Sequence, residues 1–214
     1  ERGGDAPALR KRTGGTTPRV TMRGHDEWCV VSNIAGLGGE LRLEEAIPQV
    51  AKRVTHSDER VRRAVAGALG KIGGPGTIEA LRTALKDQSP AVRLQAAMGV
   101  DGRKTRGLAM TLAVAAEEEH KSDVQREMFL ALGRIASPEA LQALSKAAEP
   151  GGRFFKRKPS GVRLAAIEGL HLGGPSAATA LKMLVPDDEK EVREAAEKPL
   201  ETVRGGGGWC GVWG

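Results

Sequence analysis

The chain has 214 residues, a net charge of +6, 3% aromatic residues and no tyrosine. That length suits one domain of ordinary size, and so few aromatics do not suit a thick globular core. No run approaches the ~20 consecutive apolar residues of a membrane span, so the chain reads as soluble.

Residues 1–25 are rich in Gly, Thr, Pro and Arg and carry six basic side chains against two acidic ones. They read as a basic, flexible N-terminal tail. Residues 26–57 come next as a degraded first helical unit, in which Trp28, Cys29, Val30 and Val31 are more apolar than residues 60–63. Trp28 is placed to cover the open end of a stack, where atypical residues are expected. Residue 1 is Glu, not Met. A removed signal peptide would leave no trace, so the compartment stays open.

Residues 58–89 set the pattern for the later units. Val61, Val65, Ala68 and Leu69 fall at i, i+4, i+7 and i+8, one apolar stripe on a helix. Gly70, Gly73 and Gly74 are expected to stop that helix, and Thr77 to cap a second one. The small residues Ala66, Gly67 and Ala68, and Ala96, Ala97 and Gly99 in the next unit, predict close helix approach. Residues 90–122 form the third unit, ending in Glu117, Glu118 and Glu119, a like-signed run expected to face solvent. Residues 123–160 contain the fourth unit, with Met128 and Phe129 on its buried stripe and a cap signal at Ser137-Pro138. Residues 161–190 form the fifth, and 191–204 a final helix with Pro199 late in it. Residues 205–214 are a Gly-rich aromatic tail, four glycines and then Trp209, Cys210, Val212 and Trp213.

The units repeat with measurable steps. Cys29, Val61, Val92, Val124, Val162 and Val192 occupy equivalent places, separated by 32, 31, 32, 38 and 30 residues. A period in this range marks a stacked repeat array. The second halves recur as well, at Glu45-Ala46-Ile47, Glu79-Ala80-Leu81, Glu139-Ala140-Leu141 and Thr179-Ala180-Leu181.

The run Asp58, Val61-Arg62, Ala64, Ala66, Ala68-Leu69-Gly70 and Ile72 resembles the HEAT-repeat family, in particular its short bacterial units. The likeness covers about residues 26–204. It implies an all-α, right-handed solenoid of about five helical hairpins plus a final helix. It also implies Asp–Arg bonds along the stack, with Asp58, Arg62, Arg93, Arg163 and Arg193 in such places. Gln125, Asp101 and Pro199 depart from the family pattern.

Residues 149–160, EPGGRFFKRKPS, lengthen one step to 38 residues. Insertions of this kind become loops, often on the working face of a solenoid. Arg153, Phe154, Phe155, Lys156, Arg157 and Lys158 are therefore candidate partner-binding residues, joined by Trp209 and Trp213, an apolar tip that needs somewhere to bury. The four histidines show no ligand spacing, and no C-x2-C pair exists for zinc. Cys29 sits at the core valine place and reads as a buried thiol. A ten-residue tail does not bridge Cys29 to Cys210 across a stack on the order of 50 Å long, unless the tail belongs to another subunit. No nucleophile elbow, phosphate loop or dinucleotide fingerprint appears.

Neither a catalytic nor a metal site is read, and no cofactor. The leading hypothesis is a non-catalytic scaffold for a protein partner or neighbouring subunit. A nucleic-acid-binding solenoid is the first alternative, because the insert joins four basic side chains to two Phe. A lyase, as the resemblance allows, is the second.

Overall fold

The computed structural model describes residues 47–102, 104–151 and 158–198. Trp28, Cys29, residues 153–157, Trp209, Cys210 and Trp213 lie outside that set. Among the described residues every regular element is helical. The α-helices are α1 (Ile47–Ala51), α2 (Glu59–Ile72), α3 (Ile78–Ala84), α4 (Pro90–Met98), α5 (Ala109–Glu118), α6 (Ser122–Ile135), α7 (Pro138–Ala148), α8 (Ser160–Leu172), α9 (Ala178–Leu184) and α10 (Lys190–Glu197). None is long and apolar enough to cross a membrane.

Local chemistry sets the helix ends. The Asp58 carboxylate accepts the Arg60 backbone N–H at 2.8 Å and caps α2. Glu59 in the first turn and Lys71 in the last complement the helix dipole. Gly73 ends the helix at φ 66°, a conformation open to glycine without steric penalty. Gly70 does not stop the helix as expected; it lies inside α2 and is buried. Thr77 does not cap α3 with its side chain either: its hydroxyl donates to the Gly74 carbonyl at 2.9 Å. Short 3-10 turns at Pro75–Thr77, Arg106–Leu108 and Gly174–Ala177 lead into the second helices of three units. The fourth unit turns more sharply. Ala136 takes φ 49°, then Ser137 accepts the Ala140 N–H and Pro138 opens α7.

Two layers result. First helices α2, α4, α6, α8 and α10 pack each against the next, and each second helix lies against its own or an adjoining unit. Among the described residues the buried stripes join in one continuous core from Ile47 to Ala196, with Met128 and Phe129 inside it. A thin stack of this kind buries each hairpin's apolar side only against its neighbours.

Glycine sets how closely the first helices approach. Gly70 of α2 lies directly on Gly99 at the end of α4, and Gly133 of α6 on the Gly169 backbone of α8. A Cβ at Gly133 would overlap the Gly169 carbonyl oxygen. Both contacts pair the ninth residue after one reference valine with the seventh after the next.

Candidate functional site

Along one edge of the stack, where each second helix hands over to the next first helix, runs a ladder of charged side chains. Arg62 donates from Nε to Asp87 at 2.7 Å and from Nη1 to the His56 and Ser57 carbonyls at 2.8 and 3.0 Å. Arg93 repeats this, with Glu119 at 2.6 Å and the Asp87 and Gln88 carbonyls at 2.8 and 3.2 Å. Arg163 bonds both carboxylate oxygens of Asp187 and reaches Glu189 at 3.3 Å. Arg193 donates to the Asp187 and Asp188 carbonyls at 2.7 and 3.0 Å. Arg62, Arg93 and Arg163 thus each tie their own loop to the next one, and Arg193 holds its own loop.

The acidic partner is not the residue expected. Asp58 pairs with Arg60 rather than Arg62, and that hydrogen bond holds its carboxyl down at about 2. The ladder acids are Asp87, Glu119 and Asp187, each five residues before a reference valine. Each also accepts the backbone N–H two residues on: Ser89, Lys121 and Glu189. Glu119 is therefore buried and paired, against the expectation that its run faces solvent; Glu117 and Glu118 remain exposed. The Arg93 hydrogen bond lowers the Glu119 pKa against the opposing effect of burial. Burial pushes the Asp87 carboxyl up, but hydrogen bonds from Arg62 and Ser89 overcome it, and the net direction is down.

Where the arginine is absent, the acid is absent too. Gln125 takes the arginine place in the fourth unit and donates to the Ala116 carbonyl at 2.8 Å. Five residues before Val162 stands Arg157, a base. In the first unit Val30 fills the arginine place, and His56 replaces the acid. His56 Nδ1 still accepts the Asp58 N–H at 3.0 Å, the same bond to the backbone two residues on that the ladder acids make.

The insert leaves the stack at this same edge, between α7 and α8. Its base is pinched by Lys158 N–H donating to the Pro150 carbonyl at 3.2 Å. Arg163, fully buried, donates to the Ala148 carbonyl at 2.7 Å, where the chain departs. The period is thus resumed across the loop. Of the expected partner-binding residues, Lys158 alone is described. It is half-buried, its ammonium contacts the Lys146 carbonyl, and burial pushes its pKa down.

Two further surfaces were not read from the sequence. The second-helix layer exposes Met110 and Val114 on α5 and Met183 on α9, at 63%, 45% and 77%. On the first-helix layer, a groove of about 480 Å³ lies between α6, α8 and α10. Leu130, Leu164, Ile167, Leu172 and Ala195 line it, with His171. His171 stands nine residues after Val162, where the second and fourth units have Gly70 and Gly133. An imidazole there occupies space that glycine leaves to the next helix. Its Nε2 bonds the Ala195 carbonyl of α10 at 2.8 Å, while Nδ1 is buried without a partner. The break in the glycine position was the available sequence signal. Among the described residues no group of three metal-ligating side chains stands together.

Two layers of helical hairpins in nearest-neighbour contact define an α-solenoid. A family model described as HEAT repeats matches residues 24–89 and 78–157, more than half of the chain. The chain belongs to the HEAT-repeat family. No curated protein matches it. Among solved structures, one engineered protein is 22% identical, with a TM-score of 0.51, over 85% of this chain and 89% of its own. A second engineered protein is 20% identical, also at 0.51, over 83% of this chain and 53% of its own. At these identities the likeness concerns the fold.

Proposed function

We propose that this solenoid is a non-catalytic scaffold whose second-helix layer and basic insert hold a protein partner. The observation that carries the reading is the exposure of Met110, Val114 and Met183 on second helices. Three of the five large hydrophobic side chains exposed among the described residues lie there. Methionine suits such a surface, since its unbranched thioether adapts to the groups it meets. The insert adds Arg153, Phe154, Phe155, Lys156 and Arg157 beyond the pinched base at Pro150 and Lys158. Its Phe side chains supply apolar contact area and its charges set orientation. The ladder beneath serves the same end by fixing the spacing of successive units.

Affinity capture coupled to mass spectrometry tests this, with the intact chain compared with Met110→Glu/Met183→Glu and with Phe154→Ser/Phe155→Ser. Both changes are expected to remove the same protein partners. Unchanged capture by both variants contradicts the reading. Capture of nucleic acid, lost steeply between about 50 and 200 mM salt in proportion to phosphate contacts, favours the nucleic-acid alternative instead.

A further inference from the structure

The groove on the first-helix layer has an apolar floor, formed by Leu130, Leu164, Ile167 and Leu172. Leu172 is 38% exposed there. Lys198, the last described residue, itself lines the groove, so the chain that continues from it starts at the site. Eleven residues further on comes Trp209, then Cys210, Gly211, Val212 and Trp213. Eleven residues reach at most about 36–40 Å. The floor on α8, from Leu164 to Leu172, is only about 12 Å long at 1.5 Å per residue. The four glycines before Trp209 also let the chain reverse direction at little cost.

The chemistry of segment and groove is complementary. Each indole buries on the order of 150–250 Å² and carries one N–H donor and no acceptor. The groove offers acceptors in Glu191 and Glu194 at its rim. His171 lines the groove as well, held by its Nε2 donating to the Ala195 carbonyl at 2.8 Å. We propose that this groove is the docking site of the chain's own aromatic segment, Trp209 to Trp213, bound in cis. The tip expected to dock on a neighbour thus finds an apolar place on its own chain. The site lies on the layer opposite the proposed partner surface, so the two readings fail independently.

Cys210 makes the test direct. In the full chain carrying Cys29→Val, the residue the repeat places there, a second thiol is introduced at the groove rim as Glu194→Cys. The control is Lys182→Cys, an exposed position on the second-helix layer next to α10. Under mild oxidation the rim thiol is expected to join Cys210 within one chain about tenfold faster than the control, through the raised local concentration of a docked segment. Trp209→Ala/Trp213→Ala, and separately Leu172→Ser, are expected to bring the rate down to the control value. Equal rates at rim and control overturn the proposal. So does a disulfide found between two chains, which assigns the segment to a second copy, or a fast rim reaction that survives loss of both indoles.

Discussion

The junction between the second and third units and that between the fourth and fifth solve one problem in two ways. At the first, Arg62 and Asp87 clamp the edge while Gly70 and Gly99 bring the helices together. At the second, Gln125 has replaced the arginine and the insert interrupts the edge. That junction relies on α6 packed along α8 at Gly133 and Gly169, with Arg126 bonding Glu168 at 2.6 Å across the exposed side. A stack can therefore give up one rung where its helices approach closely enough, and the freed edge is where the loop is accommodated.

The comparison is broken most severely at the buried rung. Arg163→Ala removes the buried guanidinium that bonds both Asp187 carboxylate oxygens and the Ala148 carbonyl. Chemical denaturation is expected to show a loss of about 3–5 kcal/mol. Arg62→Ala, at a rung still slightly exposed, is expected to fall at the lower end of that range. If the packing at the fourth junction stands in for the missing rung, Gly133→Ala must also cost stability there. About 1–3 kcal/mol is expected, although alanine favours an unconstrained helix.

Acid separates the junctions further. Asp87 and Glu119 have folded-state pKa values below their ordinary range. Their stabilisation is full above the unfolded values near ~4 and is lost as pH falls through the folded ones. Stability should drop below about pH 4, by up to about 1.4 kcal/mol per pH unit for each carboxylate. Arg93→Ala, which leaves Glu119 without its cation, should make that slope shallower. A slope unchanged by Arg93→Ala would show that the ladder acids do not control the acid limb.

Much of the fold was legible because burial imposes a period. Val61, Val92, Val124, Val162 and Val192 mark it, all five sit at the core boundary or within it, and Ser137-Pro138 announced its helix start correctly. The ladder was legible only on its basic side. Asp58 and Asp87 both lie close to the start of a first helix, two residues in register apart, and spacing alone does not say which faces the preceding arginine. Gly70 and Gly73 were equally ambiguous: one serves close approach inside the helix, the other a positive φ at its end. The groove is not legible in the sequence, because its signal, His171 in a glycine place, has meaning only once that glycine is known to lie against the next helix.

The smallest expected effect has the opposite sign. Ala136 holds the left-handed conformation that ends α6. Ala136→Gly should stabilise the fourth unit by about 1 kcal/mol, the strain relieved less the added freedom of the unfolded chain.

Each hairpin is held by its neighbours alone, and hydrogen exchange in the native state measures this most directly. In Arg163→Ala, amides of α8, α9 and α10 are expected to lose protection while those of α2 and α4 keep theirs. An equal loss from α2 to α10 would instead describe one indivisible core, and would contradict a stack held together pair by pair.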